Sequence, residues 1–235
     1  EPYTERVLIN LKQLKIISRL GVGLDNIKMK TADLNGIKIF KTFTTPALAV
    51  SELTIGLILD LLRKINLHHM NMITGIWKKQ MGSLLSGKTI GIIGLGTIGK
   101  TLVKLLSGVN LKILAYDMFQ DEQFQKQNDV TYCDLGTLLK ESDIVTIHLN
   151  LSDQTKKLIG NKQFSLMKKN AIIINTSRGE ILDNDALYNA LNDKIISGAG
   201  LDVYDKEPYK GPLTNLENWK RTAKASLVLK SSFIA

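Results

Sequence analysis

Cysteine, proline and aromatic residues are scarce in this chain. Its 235 residues include 1 cysteine, 4 prolines and 6% aromatic residues. The single thiol, Cys133, excludes a disulfide within the chain and is compatible with a reducing compartment, so a cytoplasmic location is expected.

Metal-binding patterns are missing as well. His68 and His69 are adjacent, and neighbouring residues rarely converge on one ion, so no metal site is expected.

A long hydrophobic run is also absent. The longest apolar region, residues 47–62, is interrupted by Ser51, Glu52, Thr54 and Asp60. It therefore falls short of the ~20 predominantly apolar residues that a membrane-spanning helix needs. A buried helix is expected there instead, and no membrane partner is predicted.

Acidic residues are outnumbered by basic ones. The chain has 22 acidic and 31 basic residues, which gives a formal net charge of +9. The lysines are spread over many segments, and the densest basic group is Lys220, Arg221 and Lys224. This scatter favours a solvated basic surface over a nucleic-acid groove, so no nucleic-acid partner is expected.

From residue 87 onwards, short apolar runs alternate with helix-like stretches. Strands are predicted near residues 88–93, 111–116, 130–132, 143–148, 171–175 and 197–202. Helices are predicted near residues 97–107, 120–127, 134–140, 161–168 and 184–192. This alternation predicts an α/β fold with a doubly wound parallel sheet. Residues 14–41 contain a second, smaller α/β unit.

A Gly-x-Gly-x-x-Gly motif joins the first of these strands to its helix. Gly94 allows a tight turn, Gly96 lets the backbone approach a pyrophosphate, and Gly99 lets helix and strand pack closely. The helix N-terminus that follows presents N–H groups and a positive dipole to an anion. A dinucleotide is favoured, although other Rossmann proteins, such as those that bind S-adenosylmethionine, share this cradle.

Asp117 ends the second predicted strand, 18 positions after Gly99. A carboxylate there can accept hydrogen bonds from both ribose hydroxyls of the adenosine and would repel a 2′-phosphate, so NAD is favoured over NADP. The structural alternative is a glycine-rich turn that serves packing alone, with Asp117 capping a loop.

Three further segments resemble signatures of one enzyme family. Residues 172–180 read IIINTSRGE, residues 198–208 read GAGLDVYDKEP, and residues 18–27 read SRLGVGLDNI. The chain resembles the D-isomer-specific 2-hydroxyacid dehydrogenases over about residues 5–218, and is most similar to their 3-phosphoglycerate dehydrogenase-like branch. The resemblance implies NAD-dependent interconversion of a D-2-hydroxy acid and a 2-oxo acid by hydride transfer, with serine biosynthesis as one metabolic setting.

The resemblance also implies a domain organisation, in which a Rossmann domain is inserted into a flavodoxin-like substrate domain. It assigns residues 1–64 to a partial substrate domain and bridging helix, residues 65–86 to an interdomain and dimerisation excursion, residues 87–212 to the NAD-binding domain and residues 213–235 to an atypical tail. Family members usually dimerise through the cofactor domain and this excursion, so a homodimer is expected.

Site residues follow from the same resemblance. Arg178 would hold the substrate carboxylate and carbonyl, because a guanidinium can bind two planar oxygens at once. Glu207 would pair with a catalytic histidine. The backbone of Val22 and Gly23 would face the substrate carboxylate. The cofactor would contact the backbone N–H groups of Thr97 and Ile98, the lining residues Leu149, Thr176 and Ser177, and Asp202 at the nicotinamide carboxamide.

The chain departs from the family at the catalytic histidine. The family has a Thr-Pro-His segment shortly after the stretch that corresponds to residues 216–218, whereas no histidine follows His148 here. Two hypotheses therefore stand: a 2-hydroxyacid dehydrogenase, or a catalytically silent NAD-binding protein that is a truncated relative or a cofactor-sensing module. The tail after Asn218 predicts a truncation or a changed reading frame, and the start at Glu1 predicts a fragment.

Overall fold

The computed structural model describes residues 3–211, Leu213 and the backbone of residues 225–227. The predicted tail, residues 213–235, lies mostly outside the described residues. The chain divides into two units, residues 1–46 and residues 47–235. Helix 47–63, which corresponds to the predicted bridging helix, clusters with the larger unit. The functional domain assignments remain predictions.

The smaller unit is a short α/β segment with its own core. It contains α1 (Glu5–Asn10), β1 (Ile16–Arg19), α2 (Met29–Leu34) and β2 (Lys38–Lys41). The two strands pair in parallel. Its apolar side chains pack together as the buried residues Leu8, Ile17, Ile27, Ala32 and Ile37.

The larger unit alternates helices and strands as the sequence predicts. Its elements are α3 (Ala47–Arg63), α4 (Ile65–Ile73), β3 (Thr89–Ile93), α5 (Thr97–Leu105), β4 (Lys112–Tyr116), α6 (Glu122–Asn128), β5 (Val130–Tyr132), α7 (Leu135–Glu141), β6 (Ile144–Ile147), α8 (Asn161–Phe164), β7 (Ile172–Asn175), α9 (Asn184–Asn192), β8 (Gly198–Leu201) and β9 (Ala225–Leu227). A short 3-10 helix, Gly179–Ile181, lies between β7 and α9.

Among the described residues, seven strands of this unit form one parallel sheet in the order β5-β4-β3-β6-β7-β8-β9. This confirms the predicted doubly wound fold. The central strands β6, β7 and β8 are buried at every position, because helices cover both faces of such a sheet. The strand order reverses between β3 and β6, and ligands of doubly wound folds bind at the carboxyl edge near that point.

Helix α3 packs against α5 and the strands β7 and β8. Its buried side chains recur every three to four residues and form one stripe, which includes Ser51, Thr54 and Leu57. A Cβ atom at Gly200 of β8 would lie 3.1 Å from the Cβ of Leu57, so the missing side chain lets helix and sheet approach closely. In the part of the chain that the structure describes, no helix is long and apolar enough to cross a membrane.

The seventh strand is a feature that the sequence did not predict. Residues 225–227 pair in parallel with β8, so that Ala225 lies beside Ala199. The short run Ala-Ser-Leu has neither the length nor the β-branched residues that mark the other strands. Part of the predicted atypical tail therefore extends the sheet.

Candidate active site

The carboxyl ends of the parallel strands collect most of the predicted site residues at one edge of the sheet. They are Gly94 to Gly99 after β3, Asp117 after β4, Leu149 after β6, Thr176 to Arg178 after β7 and Asp202 after β8. Val22 and Gly23 follow β1 in the smaller unit. These groups are spread over some 180 positions of the sequence. Those in the larger unit share one edge because the strands that they follow are parallel and end on the same side of the sheet.

The glycine loop after β3 has little room for side chains at two of its three glycines. Gly94 has a φ of +96°, and a Cβ there would lie 2.9 Å from the carbonyl carbon of His148. A Cβ at Gly99 would lie 2.5 Å from the carbonyl oxygen of Gly94. These contacts account for the tight turn and the close packing of helix against strand that the motif predicts.

Gly96 differs from the other two glycines because a Cβ there would meet no atom within 4 Å. The space above its backbone is therefore open on the side where α5 begins. Gly96 is the N-cap of α5, and the first N–H groups of a helix, here including Thr97 and Ile98, have no partner within the helix. This open backbone and the positive end of the helix dipole fit a pyrophosphate, which supports dinucleotide binding.

Asp117 lies beside the glycine loop and bonds to it directly. The Leu95 N–H donates to one carboxylate oxygen at 2.7 Å, and the Phe119 N–H donates to the other at 3.0 Å. The predicted ribose-binding acid thus also holds the loop in place. The proposed loop-cap role and the proposed ribose role are compatible, because each carboxylate oxygen can accept more than one hydrogen bond.

The turn that carries Arg178 is held by the side chain of Asn175. This amide is fully buried; its oxygen accepts from the Ser177 N–H at 3.1 Å and the Ser177 hydroxyl at 2.8 Å. Its nitrogen donates to the Arg178 carbonyl at 2.9 Å. The backbone carbonyl of Asn175 also accepts from the Asp202 N–H at 3.0 Å. Asn175 therefore connects the two predicted site residues.

Sequence reasoning assigned no role to Asn175, although a signal was present. It is a polar residue at the end of the apolar run Ile172 to Ile174, where a buried amide must find hydrogen-bond partners. The guanidinium of Arg178 donates to the Ser177 carbonyl at 2.8 Å and is partly buried. A cation in this position can bind a carboxylate and polarise a neighbouring carbonyl group.

Glu207 lies in the loop after β8, exposed to solvent. The Tyr204 N–H lies 3.4 Å from its carboxylate and donates to it. The backbone of this loop lies directly against Gly179, where a Cβ would come within 1.9 Å of the Tyr204 carbonyl carbon. The loop that carries Glu207 thus packs on the residue next to Arg178.

His148 does not take the place of the family histidine. Its Nε2 lies 3.0 Å from the Thr146 hydroxyl, and its buried Nδ1 has no hydrogen-bond partner among the described residues. Burial lowers the pKa of His148 from 6.5 to about 4, so the ring is neutral near pH 7. Its carbonyl group occupies the space that a Cβ at Gly94 would need, which indicates that the backbone of His148 packs against the glycine loop.

The predicted substrate loop in the smaller unit forms a turn after β1. Gly21 has a φ of +135°, and its N–H donates to the Thr42 hydroxyl at 3.0 Å. Arg19 donates to the side chain of Asn26 and so closes the turn. Val22 and Gly23 lie at its tip, partly exposed. In the described ranges, no group of three or more His, Cys, Asp or Glu residues could hold a metal ion.

Comparison with known proteins identifies a family. The family model described as D-isomer specific 2-hydroxyacid dehydrogenase, NAD binding domain, matches residues 55–224. The glyoxylate reductase of Thermococcus litoralis is 39% identical over 214 residues, which cover 87% of this chain and 65% of that protein. The D-3-phosphoglycerate dehydrogenase of Methanocaldococcus jannaschii is 39% identical over 219 residues, which cover 92% of this chain and 42% of that protein.

A solved structure agrees with these sequence matches. The glyoxylate reductase from Paecilomyes thermophila superposes with a TM-score of 0.86 at 29% identity, over 100% of this chain and 70% of that chain. The chain spans less than two thirds of the length of the two sequence relatives, 65% and 42%.

Proposed function

Because the chain belongs to the D-isomer-specific 2-hydroxyacid dehydrogenase family, we propose that it interconverts a D-2-hydroxy acid and a 2-oxo acid by hydride transfer with NAD. The observation that carries this proposal is the Arg178 turn. A buried amide, Asn175, holds it at the carboxyl edge of the sheet, where the open glycine loop also lies. A fixed cation beside a dinucleotide cradle is what binding and polarising a 2-oxo acid requires.

Each proposed site residue has a distinct task. Arg178 binds the substrate carboxylate and polarises the carbonyl group, while Asp202 orients the nicotinamide end of the cofactor. The NAD cofactor, when bound, accepts or supplies the hydride. Glu207 is proposed to hold a proton-transferring group, as the family resemblance implies, and Val22 and Gly23 to face the substrate carboxylate. Leu149, Thr176 and Ser177 line the cofactor in this proposal.

The missing histidine favours a second candidate function. No histidine follows His148 in the sequence, and the ring of His148 contacts Thr146 rather than Glu207. Loss of a general acid–base costs about 10²–10⁴-fold in rate, so slow turnover is expected of this chain. The alternative is a catalytically silent NAD-binding protein that keeps the cradle and Arg178.

The finer substrate proposal is the pair 3-phosphoglycerate and 3-phosphohydroxypyruvate, in serine biosynthesis. Its support is the similarity to the 3-phosphoglycerate dehydrogenase-like branch and the archaeal relative of that name. Glyoxylate and hydroxypyruvate compete with it, because other similar relatives are named glyoxylate reductase and hydroxypyruvate reductase.

The test of the function is NADH oxidation, followed by absorbance, with a panel of 2-oxo acids that includes glyoxylate, hydroxypyruvate and 3-phosphohydroxypyruvate. Replacement Arg178→Ala should lower kcat/KM by about 10²-fold or more, because the cation that stabilises the developing charge is lost. The affinity for NADH, measured by fluorescence titration, should stay unchanged.

Arg63→Ala is the matched control, since Arg63 is an exposed arginine at the end of α3. It should leave both turnover and NADH affinity as in the wild type. Retention of activity in the Arg178 variant would overturn the role of that residue. Saturable NADH binding with no turnover on any member of the panel would favour the silent alternative.

We also propose that the protein is a cytoplasmic homodimer, and that residues 65–86 contribute to the dimer interface. In support, this segment exposes several large apolar side chains, among them Trp77 at 89%, Met81 at 77% and Leu84 at 69%. Exposed apolar groups of this density are typical of protein interfaces. The single thiol is compatible with the proposed compartment.

A further inference from the structure

A buried hydroxyl on α3 contacts the turn that carries Arg178. The Thr54 Oγ1 lies 3.1 Å from the Thr176 Oγ1, across 122 positions of sequence. Thr54 is fully buried, and Thr176 is 7% exposed. A hydroxyl buried to this extent is costly unless it is hydrogen-bonded, so the contact ties the helix to the segment after β7.

The direction of this hydrogen bond follows from the other partner of Thr54. The Thr54 hydroxyl donates to the Val50 carbonyl, one turn earlier on α3, at 2.8 Å. A hydroxyl has a single proton. Thr54 is therefore the acceptor in its contact with Thr176, and the Thr176 hydroxyl is the donor. The orientation of the Thr176 side chain is thus set by α3.

The helix that supplies this acceptor is itself fixed to the sheet. Leu57, one turn after Thr54, packs where Gly200 of β8 has no side chain, since a Cβ there would lie 3.1 Å from the Cβ of Leu57. Thr176 immediately precedes Ser177 and Arg178, which Asn175 holds from the other side. The turn is therefore restrained at two points, the Asn175 amide and the Thr54 hydroxyl.

We propose that Thr54 is a positioning residue for Arg178. By accepting the hydrogen bond of Thr176, it fixes the turn 176–178 and hence the direction of the guanidinium toward the carboxylate of a 2-oxo acid. This inference rests on the proposed function. A small displacement of such a group has large effects, since a shift of about 1 Å can cost about 10²-fold in rate.

The experiment compares Thr54→Val with Thr54→Ser. Valine keeps the shape of threonine but leaves the Thr176 hydroxyl without its acceptor, whereas serine keeps the acceptor. The readouts are kcat and KM in the NADH assay, and the affinity of the NADH complex for oxalate, an unreactive analogue of a 2-oxo acid, by calorimetry. The valine variant should lose about tenfold or more in kcat/KM and in oxalate affinity, and the serine variant should regain most of both.

Thr146→Val is the matched control, because Thr146 is also a fully buried threonine but bonds to His148 instead of the Arg178 turn. Like Thr54→Val, it should lower the unfolding temperature, yet it should bind oxalate as the wild type does. Normal oxalate affinity and turnover in Thr54→Val, or an equal loss in Thr54→Ser, would overturn the proposed role. A wild type that binds NADH but neither turns over nor binds oxalate would instead overturn the proposed function, and the role of Thr54 with it.

Discussion

The side chain of Asp117 has one observed role and one proposed role. Its carboxylate accepts the N–H groups of Leu95 and Phe119, and it is proposed to bind the adenosine ribose of NAD. Hydrogen bonds to a charged group contribute about 1.5–3 kcal/mol each, so both tasks have consequences for cofactor affinity. Substitutions at this position separate them.

Asp117→Ala should weaken NADH binding by about tenfold or more, because ribose contacts and the support of the loop are lost together. Asp117→Asn keeps an oxygen that can accept from Leu95 but removes the charge that repels a 2′-phosphate, so its preference for NADH over NADPH should fall with less loss of NADH affinity. Fluorescence titrations with NADH and with NADPH measure both affinities and hence the preference. An unchanged NADH to NADPH ratio in both variants would refute the selectivity argument.

At the scale of the elements, the loop after β8 packs against the turn after β7 at Gly179. A Cβ at this position would lie 1.9 Å from the Tyr204 carbonyl carbon and 2.4 Å from the Asp205 nitrogen. Both atoms belong to backbone, which cannot rotate away as a flexible side chain can. The position of Glu207 relative to the Arg178 turn therefore depends on the absence of a side chain at residue 179.

Gly179→Ala should destabilise the fold by about 1–3 kcal/mol, the usual cost of overpacking, and displace the loop that carries Glu207. Urea unfolding measures the free energy, and turnover reports the displacement. Gly56→Ala is the control, since Gly56 lies in α3 with no atom within 4 Å of its missing Cβ. That change should be neutral or stabilising by up to about 1 kcal/mol. Equal stability of the two variants would contradict the packing argument.

The elements that the sequence predicted best are those with a local signal. The apolar runs at residues 89–93 and 172–175 are bounded by turn residues, and each forms a strand close to its predicted limits. The glycine loop was equally predictable, because its residues are neighbours in sequence. Strand β9 was missed because Ala-Ser-Leu carries no such signal.

Long-range contacts explain what sequence reasoning missed in the site. The hydroxyl pair Thr54 and Thr176 joins residues far apart in the chain, and no periodicity or spacing predicts that α3 would cross β7 at this point. The three hydrogen bonds of the Asn175 amide depend on the conformation of the turn, which propensity alone does not give. The order of the elements could be predicted from the sequence, whereas the directions of these side chains could be determined only from the structure.

At the scale of the whole molecule, the proposed homodimer can be tested by substitutions in residues 65–86. Trp77 is 89% exposed, and a large aromatic side chain at an interface often contributes about 2 kcal/mol or more to binding. Trp77→Glu should therefore shift the protein toward monomer in sedimentation velocity at a fixed concentration.

Leu34→Glu is the matched control for the dimer, since Leu34 is 88% exposed in α2 of the smaller unit. It should leave the sedimentation profile as in the wild type. The interface assignment would be wrong if the Trp77 variant remained dimeric, or if the wild type sedimented as a monomer over the same range of concentrations.

If Asp117 binds the ribose as proposed, its second contact, with the glycine loop, constrains how cofactor preference can change in this fold. In this proposal, a lineage that adapts to a phosphorylated dinucleotide loses the carboxylate charge, and any replacement without a side-chain oxygen also removes the acceptor for Leu95 in the glycine loop. A first substitution of that second kind is thus expected to lower the affinity for either dinucleotide. Adaptation through such a residue then requires a compensating change elsewhere in the loop, so substitutions at residue 117 and in the glycine loop are expected to be non-additive.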